Sequence, residues 1–62
     1  MCLAACYKNE QKPENLMCKY VSTIGFRGDK IVLTDILGEE TEVTGKLSTV
    51  DLVKNYIVIK SA

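Results

Sequence analysis

The sequence predicts an all-β protein: a small, five- to six-stranded, barrel-like rolled antiparallel sheet. Two observations carry this reading. Val, Ile, Thr and Tyr are frequent, and they fall in short apolar-rich runs broken by turn residues. At 62 residues the chain makes one domain at most, so residues 1–62 are read as a single small β-barrel-like domain. A closed sheet has no sticky edges. A chain of this size that leaves one edge open can cover it by dimerising.

The elements follow in order. Cys2–Tyr7 reads as a first strand. The polar stretch Lys-Asn-Glu-Gln-Lys-Pro-Glu-Asn at 8–15 holds the only proline and reads as a loop. Met17–Phe26 is the second strand, and Gly25 inside it suggests a bulge or bend. Arg27-Gly28-Asp29 makes a tight turn, with Gly28 free to take a positive φ. Lys30–Leu37 is the third strand. It places Ile31 and Leu33 on one face and Val32, Thr34 and Ile36 on the other. Gly38-Glu39 has the form of a two-residue hairpin turn with glycine first, suited to type II′. Glu40–Gly45 is a fourth strand with one wet face. Thr49–Val53 is read as a fifth strand rather than a helix, because five residues are too few for a stable helix. Lys54-Asn55 turns the chain into the last strand, Tyr56–Lys60.

Composition narrows the functional classes. Eight Lys and Arg balance eight Asp and Glu, and no run of basic residues occurs. That argues against nucleic acid, whose phosphates call for a basic patch. No stretch approaches the roughly 18–20 apolar residues of a membrane span. No signal peptide is visible, so a cytoplasmic location is expected. Three cysteines fit reduced thiols better than a disulfide framework. The chain has no histidine, no Gly-rich phosphate loop and no dinucleotide fingerprint. No catalytic set is identified and no enzyme is expected. Glu39, Glu40 and Glu42 read as a solvated acidic face.

The thiols remain. On a strand Cys2 and Cys6 lie about 13 Å apart, at about 3.3 Å per residue, so one extended segment cannot close both on one ion. Cys6 and Cys18 read as core residues, since free cysteine is among the most buried residue types. Cys2 is different. Removal of Met1 would give it a free α-amine, and amine plus thiolate form a five-membered chelate. The following backbone amide adds a nitrogen. Such sets favour four-coordinate, square-planar Ni(II) or Cu(II). One chain offers too few of these groups, whereas two copies meeting at a two-fold axis bring two sulfurs and two nitrogens. If Met1 is retained the free amine is lost, but the thiolate and amides remain.

The chain also resembles a family. "MCLA" at 1–4, "GDKIVLTDILGEETEVTG" at 28–45 and "VDLVKNYIVI" at 50–59 are similar to the start, centre and end of CooT-type proteins. The resemblance covers essentially the whole chain. It implies a homodimeric nickel-binding protein, a metallochaperone or nickel-handling factor, with Ni(II) held by Cys2 and carbon monoxide dehydrogenase as a client. Only Cys2 inherits the metal role, because Cys6, Cys18 and the loop "YKNEQKPENLMCK" depart from the family pattern.

Two other readings stay open. Members of this family are also labelled RNA-binding from small-barrel architecture, and Tyr20, Phe26 and Arg27 form the best surface for that role here. The aromatic pair is nevertheless expected to be core. A third reading is an interaction subunit that recruits a partner along an open strand edge.

Overall fold

A computed structural model describes residues 3–61; Met1, Cys2 and Ala62 lie outside them. The chain forms β1 (Ala4–Lys8), a single 3-10 turn (Pro13–Asn15), β2 (Leu16–Arg27), β3 (Lys30–Asp35), β4 (Glu40–Thr44), β5 (Lys46–Asp51) and β6 (Tyr56–Lys60). The expectation of an all-β protein is met. The strands make one six-stranded sheet in the order β4-β3-β2-β1-β6-β5.

Two parts of the expected architecture need correction. The sheet is mixed rather than antiparallel, because β1 runs parallel to β6, with Cys6 opposite Ile57 and Tyr7 opposite Val58. Nor is it closed into a barrel: β4 pairs only with β3, and β5 only with β6. The sheet must still roll, and one residue explains why. β4 and β5 are opposite edges of the sheet, yet Gly45 alone separates them in sequence. A single residue spans at most about 3.6 Å, so the two edges are drawn together at that corner.

Gly45 sits at φ 141°, where side chains are rarely tolerated. A Cβ there would collide with the Lys60 carbonyl oxygen and press on Ile59 Cγ2 at 3.2 Å. Gly45→Ala is therefore expected to cost about 2 kcal/mol or more. Urea denaturation checks this, and an unchanged midpoint would refute the corner argument.

The long β2 bends to serve both neighbours. Its pairing with β1 slips twice, between Ala4 and Cys6 and between Cys6 and Tyr7. Against β3 it slips once, at Ser22. Each slip is an extra residue on β2, which bends the strand and increases its twist. Tyr20, in the first bulge, takes φ 58°, an outlying conformation for an aromatic residue. Gly25, in contrast, lies in regular register opposite Val32, so the bend expected there belongs to Ser22.

Two aspartates end strands that the apolar pattern would prolong. The Asp35 carboxylate accepts from the amides of Leu37 and Glu39, at 2.9 and 3.0 Å. β3 therefore stops at Asp35 rather than Leu37. The Gly38 amide donates to the Asp35 carbonyl at 3.0 Å, and Gly38 takes φ 86°. This is a three-residue loop ending in a left-handed glycine, not the expected two-residue type II′ turn. The Asp51 carboxylate likewise accepts from Val53 and Lys54, at 3.0 and 2.8 Å. β5 consequently runs Lys46–Asp51 instead of Thr49–Val53, and Leu52 and Val53 lie on the turn.

Cys6, Val21, Ile31, Leu33, Ile57 and Ile59 pack together as the core. Ile31 and Leu33 share the core face, as their spacing implies.

Candidate functional site

Cys2, the sequence-derived metal ligand, lies outside the described residues. The strand that follows it in sequence is described. β1 is an interior strand, held between β2 and β6. Its first turn of backbone is pinned by the Ala5 amide, which donates to the Asn55 carbonyl at 3.1 Å. Asn55 takes φ 61°, a left-handed value that asparagine accepts more readily than most residues. Thus the β5–β6 turn and the start of β1 are joined.

The start of β1 is bordered by two depressions. One is an apolar cleft of about 190 Å³, walled by Ala4, Val21, Ile24, Val50, Leu52 and Tyr56. The other touches Leu3, Ala5 and Tyr7, with Lys19, Tyr20 and Lys54 around it. Beside the cleft, the β5–β6 turn presents Leu52 and Val53, which are 76% and 91% exposed. Sequence reasoning missed this feature by assigning both residues to a strand. The available signal was Asp51 just ahead of them, a residue type that caps turns through its side chain.

Two of the three cysteines are among the described residues. Cys6 is fully buried in the core and Cys18 is partly buried against it. Burial foremost, and then the nearby Cys18, push the Cys6 thiol from 9.0 up to about 11. Burial also raises Cys18, with Asp35 adding to the effect. A thiol held neutral by the fold ionises first in the unfolded chain. Stability is therefore complete below pH 9 and falls between about pH 9 and 11. A Cys6→Val variant is expected to lose less stability than the parent over that interval, by up to about 2 kcal/mol. Parallel urea titrations at the two ends of the interval test it.

Among the described residues no group of three or more His, Cys, Asp or Glu side chains is placed to hold a metal ion. Among them too, no helix is long and apolar enough to cross a membrane.

The surface considered for RNA differs from expectation. Tyr20 and Phe26 are exposed rather than core residues, at 60% and 68%. Arg27, the cation expected to join them, points to the other face of β2 from Phe26 and is engaged there. Arg27 donates to Glu42 at 2.9 Å and to Glu40 at 3.3 Å, and Lys30 lies 3.5 Å from Glu42. Two carboxylates beside Arg27 repel phosphate, and its side chain lies on the opposite face of β2 from Phe26, so the two do not form one nucleic-acid surface.

A short rolled sheet with an interior N-terminal strand, and apolar surface gathered beside it, defines a small, open, six-stranded all-β protein. The family model for the CO dehydrogenase accessory protein CooT matches residues 1–60. The chain belongs to the CooT family, whose members are accessory proteins of CO dehydrogenase and not themselves enzymes. The crystal structure of a protein assigned as CooT from Carboxydothermus hydrogenoformans has the same fold, with a TM-score of 0.85 at 20% identity, over 98% of each chain. No curated protein matches.

Proposed function

We propose that the chain is a cytoplasmic nickel-handling homodimer that serves CO dehydrogenase. Ni(II) is held between two copies by the Cys2 thiolates and N-terminal backbone nitrogens. The observation that carries this reading is apolar surface beside the start of β1: the cleft with Val50 and Leu52 on its wall, and the exposed Leu52 and Val53 on the adjoining turn. Eight large apolar side chains are exposed among the described residues, against seven that are buried together with Cys6. A second copy docking there would bury part of that surplus and bring two N-termini together. Nickel is cargo in this scheme, and CO dehydrogenase is the nickel-enzyme client.

The test is a titration of the reduced, Met1-processed protein with Ni(II), followed by absorbance and native mass. One nickel per dimer with a thiolate charge-transfer band supports the proposal. Leu52→Asp is expected to give a monomer that binds nickel at least tenfold more weakly, since a charge desolvated in an apolar interface is costly. A Leu52→Asp chain that still dimerises and holds nickel as tightly would place the contact elsewhere.

A further inference from the structure

We propose that Cys6 and Cys18 form a thiol–disulfide switch that staples β1 to β2, with a small-molecule disulfide of the glutathione class as the oxidant. The two cysteines are register partners on adjacent antiparallel strands. Directly opposed residues have Cα atoms about 4.5–5.5 Å apart, inside the about 4.4–6.8 Å that a disulfide requires. Both side chains belong to the same apolar cluster, so they lie on one side of the sheet. Pairing slips on either side of Cys6, and the bulge at Tyr20 follows two residues after Cys18. The match at Cys6–Cys18 is therefore flanked by irregular backbone on both sides. Such backbone can adjust by the few tenths of an ångström needed to bring opposed Cβ atoms into bonding range.

The two thiols have unequal access, which sets their roles. Cys18 is the half-buried one, and its Sγ has only a long contact with the Lys19 carbonyl, at 3.7 Å. Its thiolate attacks one sulfur of the small disulfide. That S–S bond breaks, a Cys18–glutathione bond forms, and the first glutathione leaves as a thiolate. The Cys6 thiolate then attacks Cys18 Sγ, forming the Cys6–Cys18 bond and releasing the second glutathione. The protein loses two electrons and two protons; the oxidant gains both and ends as two thiols. Cys6 is fully enclosed, so no external disulfide reaches it directly. Because few of these buried thiols are ionised near neutral pH, exchange is slow there. The pair responds to sustained oxidation. This inference stands apart from the nickel proposal, since neither thiol is assigned to the metal.

The experiment uses the full chain carrying Cys2→Ser, so that only two thiols remain. The folded protein is incubated with excess oxidised glutathione at mildly alkaline pH, digested with trypsin and weighed. The expected product is a monomer in which the peptide holding Cys6 is linked to the peptide holding Cys18. Its Tm should rise by about 10 °C or more over the reduced form. Cys6→Ala in the same background should stop at the Cys18–glutathione adduct. Cys18→Ser, a milder change at a less buried site, should leave Cys6 unmodified while the protein is folded. Glutathione persisting on Cys18 with Cys6 intact overturns the proposal. So does a link that forms only in denaturant, a link only between chains, or direct glutathionylation of Cys6 in folded Cys18→Ser.

Discussion

Replacing Cys2 with serine is expected to abolish tight Ni(II) binding and to leave the sheet unchanged. A hydroxyl is a far weaker ligand than a thiolate for a square-planar nickel site, so affinity should fall by several orders of magnitude. Cys2 precedes β1 in the chain, and the far-UV spectrum and Tm are expected to stay with the parent. Cys6→Ser and Cys18→Ser should behave in the opposite way. Cys6→Ser puts a hydroxyl into the apolar core at a cost of about 1–3 kcal/mol, while nickel affinity changes little. Cys18→Ser should cost less, because Cys18 is only partly buried. The measurement is a Ni(II) titration beside a melting curve for each variant. Equal loss of nickel affinity in all three would overturn the assignment to Cys2 alone. The order of the effects matters more than their size, since it separates a ligand from two residues that support the fold.

Leu33→Ala should have the largest effect on folding. Leu33 is fully buried at the centre of β3, between Ile24 of β2 and Thr41 of β4. Removing its side chain is expected to cost about 3–4 kcal/mol, from lost transfer energy plus the cavity left behind. At roughly 0.05–0.15 kcal/mol per residue, a chain of this length has a total stability of only about 3–9 kcal/mol. The variant should be largely unfolded at physiological temperature when it is monomeric. Thermal melts over a range of protein concentrations check both this and the proposed dimer. A parent Tm that rises with concentration would show that association contributes to stability. A Leu33→Ala protein that melts within a few degrees of the parent would mean that the core centre lies elsewhere.

The alternation of apolar and polar residues determined much of this protein. It placed six strands in the right order, put Ile31 and Leu33 on the core face, and marked Tyr56–Lys60 as a strand with both its ends. It determined these things because a strand half-buried in a sheet imposes a period of two on its own sequence. The family was legible too, in the Met-Cys start and the matching central and closing segments.

Local side-chain capping and tertiary structure decided what the hydrophobic alternation does not encode. The aspartates at 35 and 51 ended strands early because their carboxylates found backbone amides two to four residues ahead, a competition invisible to hydrophobicity. The parallel pairing of β1 with β6 joins residues some fifty positions apart, and only the assembly of the whole sheet selects it. Phe26 shows it too: it stands opposite the core residue Ile31, on the core side of β2, yet it lies near the end of that strand and stays exposed. Gly45 shows the difference most plainly. In sequence it is a strand-ending glycine; in the fold it is the one residue joining two opposite edges, and the Lys60 carbonyl leaves no room there for a side chain.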